Sequence, residues 1–123
     1  MLGQNRTKLI KYILEQDRED KLLESVSTTR ETVLHSASEN GAVETLQILI
    51  EGKKHKNLIN IRDNIDKMTP LLRAVSCSQV KVCMLLLEAG ADPNICDSKN
   101  NSPLATAIGK SLTGLLSQIL NWI

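Results

Sequence analysis

The stretch TPLLRAVSCSQVKVCMLLLEAGADPN, residues 69–94, decides the fold because it contains a complete structural unit. It opens with a threonine that can cap free helical N–H groups and a proline that fits a first helical turn. Farther along, apolar residues recur at helical spacing: Val80, Cys83, Leu86 and Leu87. Gly90 then predicts a left-handed helix end, and the Asp-Pro-Asn after it cannot continue a helix. The stretch therefore predicts a short helix, a tight turn, a second helix and an extended loop.

The same pattern occurs twice more in the chain. TVLHSASENGAVETLQILIE, residues 32–51, aligns with residues 69–88 without a gap. SPLATAIGKSLTGLLSQIL, residues 102–120, places its apolar residues at the same template positions. Self-similarity with a period of about 33 residues is typical of stacked helical repeats. The core of each unit is then built from leucine, isoleucine, valine and alanine, which suits a chain with only 2% aromatic residues.

A leading helix is expected before the first full unit. Ile10, Ile13 and Leu14 match the apolar positions of the second helix of a unit. We therefore expect a single domain over residues 1–123: a leading helix at about 6–16 and repeats at about 28–60, 64–97 and 98–123. The predicted fold class is all-α, a solenoid of stacked helix-turn-helix units linked by β-hairpin loops.

These motifs resemble the ankyrin repeat. The combination of TPLLRA with LLLEAGADPN matches its pattern, whose hallmark is T-P-L-H-x-A, and TVLHSA at residues 32–37 is the closest copy. Two departures occur: Ser78 and Ser111 replace the turn glycine seen at Gly41, and the motif histidine is present only as His35. The resemblance implies an ankyrin-repeat solenoid that binds a protein partner and has no catalytic activity of its own.

The long basic link EGKKHKNLINIRDNIDKMTPL, residues 51–71, is similar to the inhibitor-of-NF-κB (I-kappa-B) family. That resemblance implies a Rel/NF-κB dimer as partner and inhibition by masking of its nuclear-import segment. Acidic residues near the first repeat would then contact this basic segment: Asp17, Glu19 and Asp20. The alternative is a generic ankyrin adaptor or scaffold fragment of a larger protein. The wider ankyrin resemblance implies Asn94 as a possible hydroxylation site, but a plain turn residue is the favoured interpretation.

Composition excludes several other classes of partner. The formal net charge of +1 provides no basic field for nucleic acid, and base-stacking aromatics are nearly absent. Three cysteines without a CxxC pair argue for a reducing compartment and against a zinc site or disulfide framework. No apolar run reaches the roughly 18 residues of a membrane span. We expect a cytoplasmic monomer, with the nucleus as the alternative location, and no metal, cofactor or membrane.

Catalysis finds little support in the sequence. His35 lies beside Ser36, which would suit a base and a nucleophile, but no third orienting acid is predicted next to them. The ankyrin resemblance instead assigns His35 a hydrogen bond to the backbone of the adjoining turn. Cys83 occupies an apolar position of a second helix and is expected in the core. The sequence therefore predicts a protein that is not an enzyme.

Partner contacts are expected on the concave face of the stack, at the hairpin tips and the ends of the first helices. Ile65 and Met68 are candidate anchors, because apolar side chains exposed at a hairpin tip are often buried by a binding partner. The alternative is that they pack on the neighbouring hairpin. Cys77 is a contact residue or a reactive thiol. The full set is Thr28, Thr29, Glu31, Glu39, Asn40, Ile65, Asp66, Met68, Arg73, Ser76, Cys77, Ser98, Lys99, Asn101 and Lys110.

Overall fold

Six helices form three consecutive pairs in the computed structural model, which describes residues 8, 9, 12, 30–53, 56 and 58–122. The helices are α1 (Val33–Asn40), α2 (Val43–Glu51), α3 (Pro70–Ser76), α4 (Val80–Glu88), α5 (Pro103–Gly109) and α6 (Thr113–Trp122). Within the described ranges no residue lies in a β-strand, and no helix there is long and apolar enough to cross a membrane. The predicted all-α class is confirmed, although the exact repeat bounds stay a prediction.

A hydroxyl caps the start of each first helix, as the sequence predicts. The Thr32 side chain accepts hydrogen bonds from the N–H groups of Leu34 and His35. Thr69 and Ser102 cap α3 and α5 in the same way, and a proline follows each of them in the first turn. The three pairs therefore begin with one shared signal.

The turn after the first helix of each pair contains a residue with a left-handed backbone. Gly41 has φ 67°, and the two serines that replace it, Ser78 and Ser111, have φ 58° and 57°. The N–H after each of them reaches five residues back, as from Ala42 to the carbonyl of Ala37 at 2.9 Å. This bond closes the helix and turns the chain into the second helix.

The core runs continuously through the stack. First helices pack on first helices and second helices on second helices, from α1 to α3 to α5 and from α2 to α4 to α6. Ala37, Ala74 and Ala107 occupy equivalent positions in the three first helices and are buried. Cys83 is also fully buried, which confirms its expected place in the core, and burial raises the pKa of its thiol to about 12.

The loops between pairs are hairpins closed by backbone hydrogen bonds. In the first, the Asp63 N–H donates to the Met68 carbonyl at 2.9 Å; in the second, the Asp97 N–H donates to the Asn101 carbonyl at 3.0 Å. The step from Thr32 to Thr69 is 37 residues, whereas the step from Thr69 to Ser102 is 33. The first hairpin holds one more residue than the second, so the rest of this difference lies in the link before it. These two hairpins, with the first helices behind them, position the candidate site.

Candidate functional site

A groove of about 260 Å³ lies between the two hairpins and the first helices α3 and α5. Its lining is Asp66, Met68, Ser76, Asp97, Ser98, Lys99, Asn101 and Thr106. Six of these eight residues belong to the contact set expected from the sequence, which named them as hairpin tips or helix ends. The structure therefore brings together residues from two successive units in one concave site.

Hydrogen bonds across the groove floor hold the hairpins together. The Ser98 N–H donates to the Asp66 carbonyl at 2.8 Å. Arg62 spans the same two hairpins, donating from Nε to the Lys67 carbonyl and from its terminal nitrogen to the Cys96 carbonyl, each at 3.0 Å. The groove is thus framed by backbone that is already ordered before a partner arrives.

Behind the first hairpin, Arg73 gathers three carboxylates. Its guanidinium donates to Glu31 at 2.7 Å and to Asp63, and lies 3.6 Å from Glu39. The Arg73 side chain is only 11% exposed and that of Asp63 is fully buried. Arg73 and Glu31, both expected as contact residues, therefore bond to other parts of the chain and hold the first hairpin against helix α3.

Asp63 is the centre of this cluster. One carboxylate oxygen accepts hydrogen bonds from the N–H groups of Asp66 and Met68, at 3.0 and 3.2 Å, and the other accepts from Arg73. Burial alone would raise the pKa of the Asp63 carboxyl, but these three donors outweigh it and lower the pKa below its usual 3.8. The group stays ionised and fixes the shape of the hairpin tip.

His35 connects the first unit to the same hairpin. Its Nδ1 accepts from the Thr32 N–H at 3.1 Å, so its Nε2 carries the proton and donates to the Met68 carbonyl at 2.8 Å. Burial is the main cause that lowers the pKa of this imidazole from its usual value, so it is neutral. The expected hydrogen bond from His35 to the backbone of the adjoining turn is confirmed by the Nε2 contact. The other ring nitrogen, Nδ1, takes part in the helix cap.

The remaining expected contact residues fall into distinct environments. Ile65 is 60% exposed in the first hairpin and does not line the groove, whereas Met68 is half-buried in the lining. Glu39, Asn40, Cys77 and Lys110 are exposed at the ends of first helices. Asn94 is exposed in a turn in which its N–H donates to the Asp92 carboxylate at 2.9 Å. Thr28, Thr29, Asp17, Glu19 and Asp20 lie outside the described residues.

Two residues that hold the hairpins around the groove were not predicted from the sequence, Asp63 and Arg62. An aspartate opens both hairpins: Asp97 accepts from the N–H groups of Lys99 and Asn101 as Asp63 does from its own hairpin. This shared aspartate could have identified Asp63 from the sequence. However, the first hairpin has one extra residue, so Asp63 and Asp97 do not align when the two copies are compared without a gap. Arg62 has no counterpart of its own type at the start of the second hairpin.

Metal chemistry has no site in the part of the chain that the structure describes. No group of three or more histidine, cysteine or carboxylate side chains is arranged there to hold an ion. Cys77, Cys83 and Cys96 are all free thiols.

Comparison with known proteins identifies the family of this chain. The family described as Ankyrin repeats (3 copies) matches residues 2–97. The chain belongs to the ankyrin-repeat family. Ankyrin repeats are protein–protein interaction modules, so the groove lies on a chain whose general function is to bind another protein.

The relatives of this ankyrin-repeat chain differ in length and role. It is 35% identical over 71 residues to the human Ankyrin repeat and SOCS box protein 3, a match that covers 58% of the chain and 14% of the human protein. It is 35% identical over 63 residues to the NF-kappa-B inhibitor alpha of Sus scrofa, covering 51% of the chain and 20% of that protein. Both relatives extend well beyond the matched part.

A solved structure confirms the fold. The crystal structure of an ankyrin repeat domain from Acinetobacter baumannii AYE matches with a TM-score of 0.73 and 30% identity, covering 81% of this chain and 52% of the bacterial one. The likeness establishes the ankyrin architecture of the stack.

Proposed function

We propose that this ankyrin-repeat chain docks a protein partner in the groove between its two hairpins. The observation that supports the proposal is the convergence of Asp66, Met68, Ser76, Ser98, Lys99 and Asn101 on one site. These residues come from different parts of two units, and only the stacked fold brings them together.

The chemistry of the groove suits an extended peptide or loop. Asp66 and Lys99 supply opposite charges, while Ser76, Ser98 and Asn101 supply hydrogen-bonding groups. Ile65, 60% exposed and next in sequence to the lining residue Asp66, offers an apolar anchor for a side chain of the partner. A partner with alternating polar and apolar side chains fits this distribution.

The Arg73 cluster supports binding by ordering the hairpin in advance. Asp63 fixes two N–H groups at the hairpin tip and is itself fixed by Arg73 and by burial. A surface that is already ordered loses little conformational entropy when the partner binds, which favours affinity. Arg73 and Asp63 therefore act as positioning residues for the groove.

The specific role we propose is inhibition of a Rel/NF-κB transcription factor by masking its import segment, in the cytoplasm or the nucleus. The similarity to the NF-kappa-B inhibitor alpha of Sus scrofa and the long basic link between the first two units support it. The acids Asp17, Glu19 and Asp20 would contact the basic segment of that partner.

An adaptor role is the second candidate. The similarity to the human Ankyrin repeat and SOCS box protein 3 favours it, because that relative joins an ankyrin array to a further named module. An adaptor would use the same groove for a partner other than a Rel/NF-κB dimer.

Groove blocking tests the docking surface. Ser76→Arg introduces a long side chain into the groove, and we expect it to weaken partner binding at least about tenfold, or about 1.4 kcal/mol. Gln47→Arg, on the exposed side of α2, is the matched control and should bind like the wild type. The partner is isolated by pull-down with the wild-type chain and affinities are measured by calorimetry. Equal affinity of both variants would refute the groove as the docking surface.

A purified Rel homology dimer tests the specific role. Binding at micromolar concentration that weakens on charge reversal of Asp17, Glu19 and Asp20 supports the inhibitor. Absence of binding to the dimer, together with groove-dependent capture of another protein, rejects the inhibitor and supports the adaptor.

A further inference from the structure

The groove between the hairpins has a counterpart one unit earlier in the chain, and there an arginine fills it. Arg73 lies four residues after the threonine that caps its helix. Its guanidinium donates to Asp63 of the first hairpin. Glu31 and Glu39 of the preceding unit complete the site, at 2.7 and 3.6 Å from the guanidinium. The boundary between the first two units is thus closed by an arginine of the chain itself.

The positions of this arginine and its three acids recur one unit later, and all four residues found there line the groove. The residues that replace Arg73, Asp63, Glu31 and Glu39 are, in that order, Thr106, Asp97, Met68 and Ser76. The Thr106 hydroxyl donates to the Ser102 carbonyl at 3.0 Å, so it does not serve Asp97. The groove is therefore the second copy of the Arg73 site, with a threonine in the place of the arginine.

Asp97 presents the carboxylate that holds the guanidinium in the first copy. As in Asp63, its Oδ1 accepts two hairpin N–H groups, here from Lys99 and Asn101 at 2.9 Å each. Its Oδ2 corresponds to the Asp63 oxygen that accepts from the arginine, and no donor bonds to it in the part of the chain that the structure describes. Asp66 adds a second carboxylate to the lining, likewise with no donor among the described residues. The groove thus offers two carboxylates to a cation from outside the chain.

We propose that the groove receives an arginine side chain of the protein partner, with its guanidinium on Asp97 and Asp66 and beside the Ser76 hydroxyl. Docking of an arginine rests on the proposed function, since it names the group that a bound protein places in the groove. Arginine suits the site better than lysine because its planar fork can give paired hydrogen bonds to a carboxylate. Lys99 is the cation of the lining, and its like charge limits the affinity.

Capped arginine, the amide of Nα-acetyl-arginine, is the probe for this site. Added to the 123-residue protein, it should shift the amide NMR signals of Ser98, Lys99 and Asn101 to saturation. Capped citrulline has nearly the same shape without the charge and should bind at least about tenfold more weakly. Asp97→Asn should weaken capped arginine by a similar factor, because asparagine can still accept the hairpin N–H groups but carries no charge. Lys99→Gln should strengthen its binding by removing the like charge.

Thr106→Arg fills the site from within, as Arg73 does one unit earlier, and should abolish binding of capped arginine. Gln47→Arg adds the same charge on the exposed side of α2 and should bind the probe like the wild type. The dispersion of the amide spectrum checks that each variant folds. Capped arginine that shifts no groove amide, or that binds no better than capped citrulline, would overturn the proposal. So would equal binding by Thr106→Arg and Gln47→Arg. These outcomes concern the guanidinium alone, because Ser76→Arg tests docking in the groove with the partner itself.

Discussion

At the residue scale, the backbone demands the same left-handed conformation at matching points of each unit. The turn after the first helix places Gly41, Ser78 and Ser111 at positive φ. A second set lies two residues before each helix cap: Arg30, Lys67 and Asn100, with φ between 58° and 65°. A side chain in this region costs about 1–3 kcal/mol, which glycine avoids.

The sequence could predict only one of these sets. Gly41 marks its turn directly, and Ser78 and Ser111 follow from alignment with it. The second set shares no residue type, and arginine and lysine do not favour a left-handed backbone. Only the structure establishes these positions.

Ser78→Gly is expected to stabilise the protein. It relieves the strain at φ 58°, partly offset by the greater freedom of glycine in the unfolded chain, for a net gain of up to about 1 kcal/mol. Urea unfolding should show a higher midpoint with an unchanged slope. Ser117→Gly, in the exposed middle of α6, is the control and should lose about 0.5 kcal/mol. An equal loss of stability in both variants would show that Ser78 is not strained.

At the element scale, the hairpins depend on buried aspartates to different degrees. Asp63 and Asp97 each accept two hairpin N–H groups, but Asp63 is fully buried and also holds Arg73, whereas Asp97 is half-buried. The helices follow directly from caps and apolar spacing, which are local signals. The ion cluster joins residues that are distant in the sequence, Glu31, Asp63 and Arg73, and no local pattern connects them.

Asp63→Asn should cost about 2–4 kcal/mol near neutral pH, because it removes a buried charge that Arg73 pairs. Asp97→Asn should cost only about 1 kcal/mol. The folded pKa of Asp63 is lowered, so its contribution is complete above the unfolded value of 3.8 and is lost as the pH falls through the folded pKa. The gap in unfolding free energy between wild type and Asp63→Asn should therefore shrink in acid. A gap that is constant with pH would show that the carboxylate charge plays no part.

At the scale of the whole molecule, stability depends on how many neighbours each pair has. The second pair is covered on both sides, by α1 and α2 and by α5 and α6, whereas the third pair packs mainly on the second among the described helices. The repeating pattern predicted this order of helices from sequence alone. The exposure of Ile108 and Leu120 could not be predicted, because the second copy buries Val75 and Leu87 at the same positions.

Amide hydrogen exchange should report this difference directly. In dilute solution we expect the amides of α6 to exchange at least about tenfold faster than those of α4, because fewer contacts must break for the third pair to open. Leu120→Lys should keep this difference, since the charge is added to an already exposed position. Uniform protection of both helices would mean that the stack opens as a single unit.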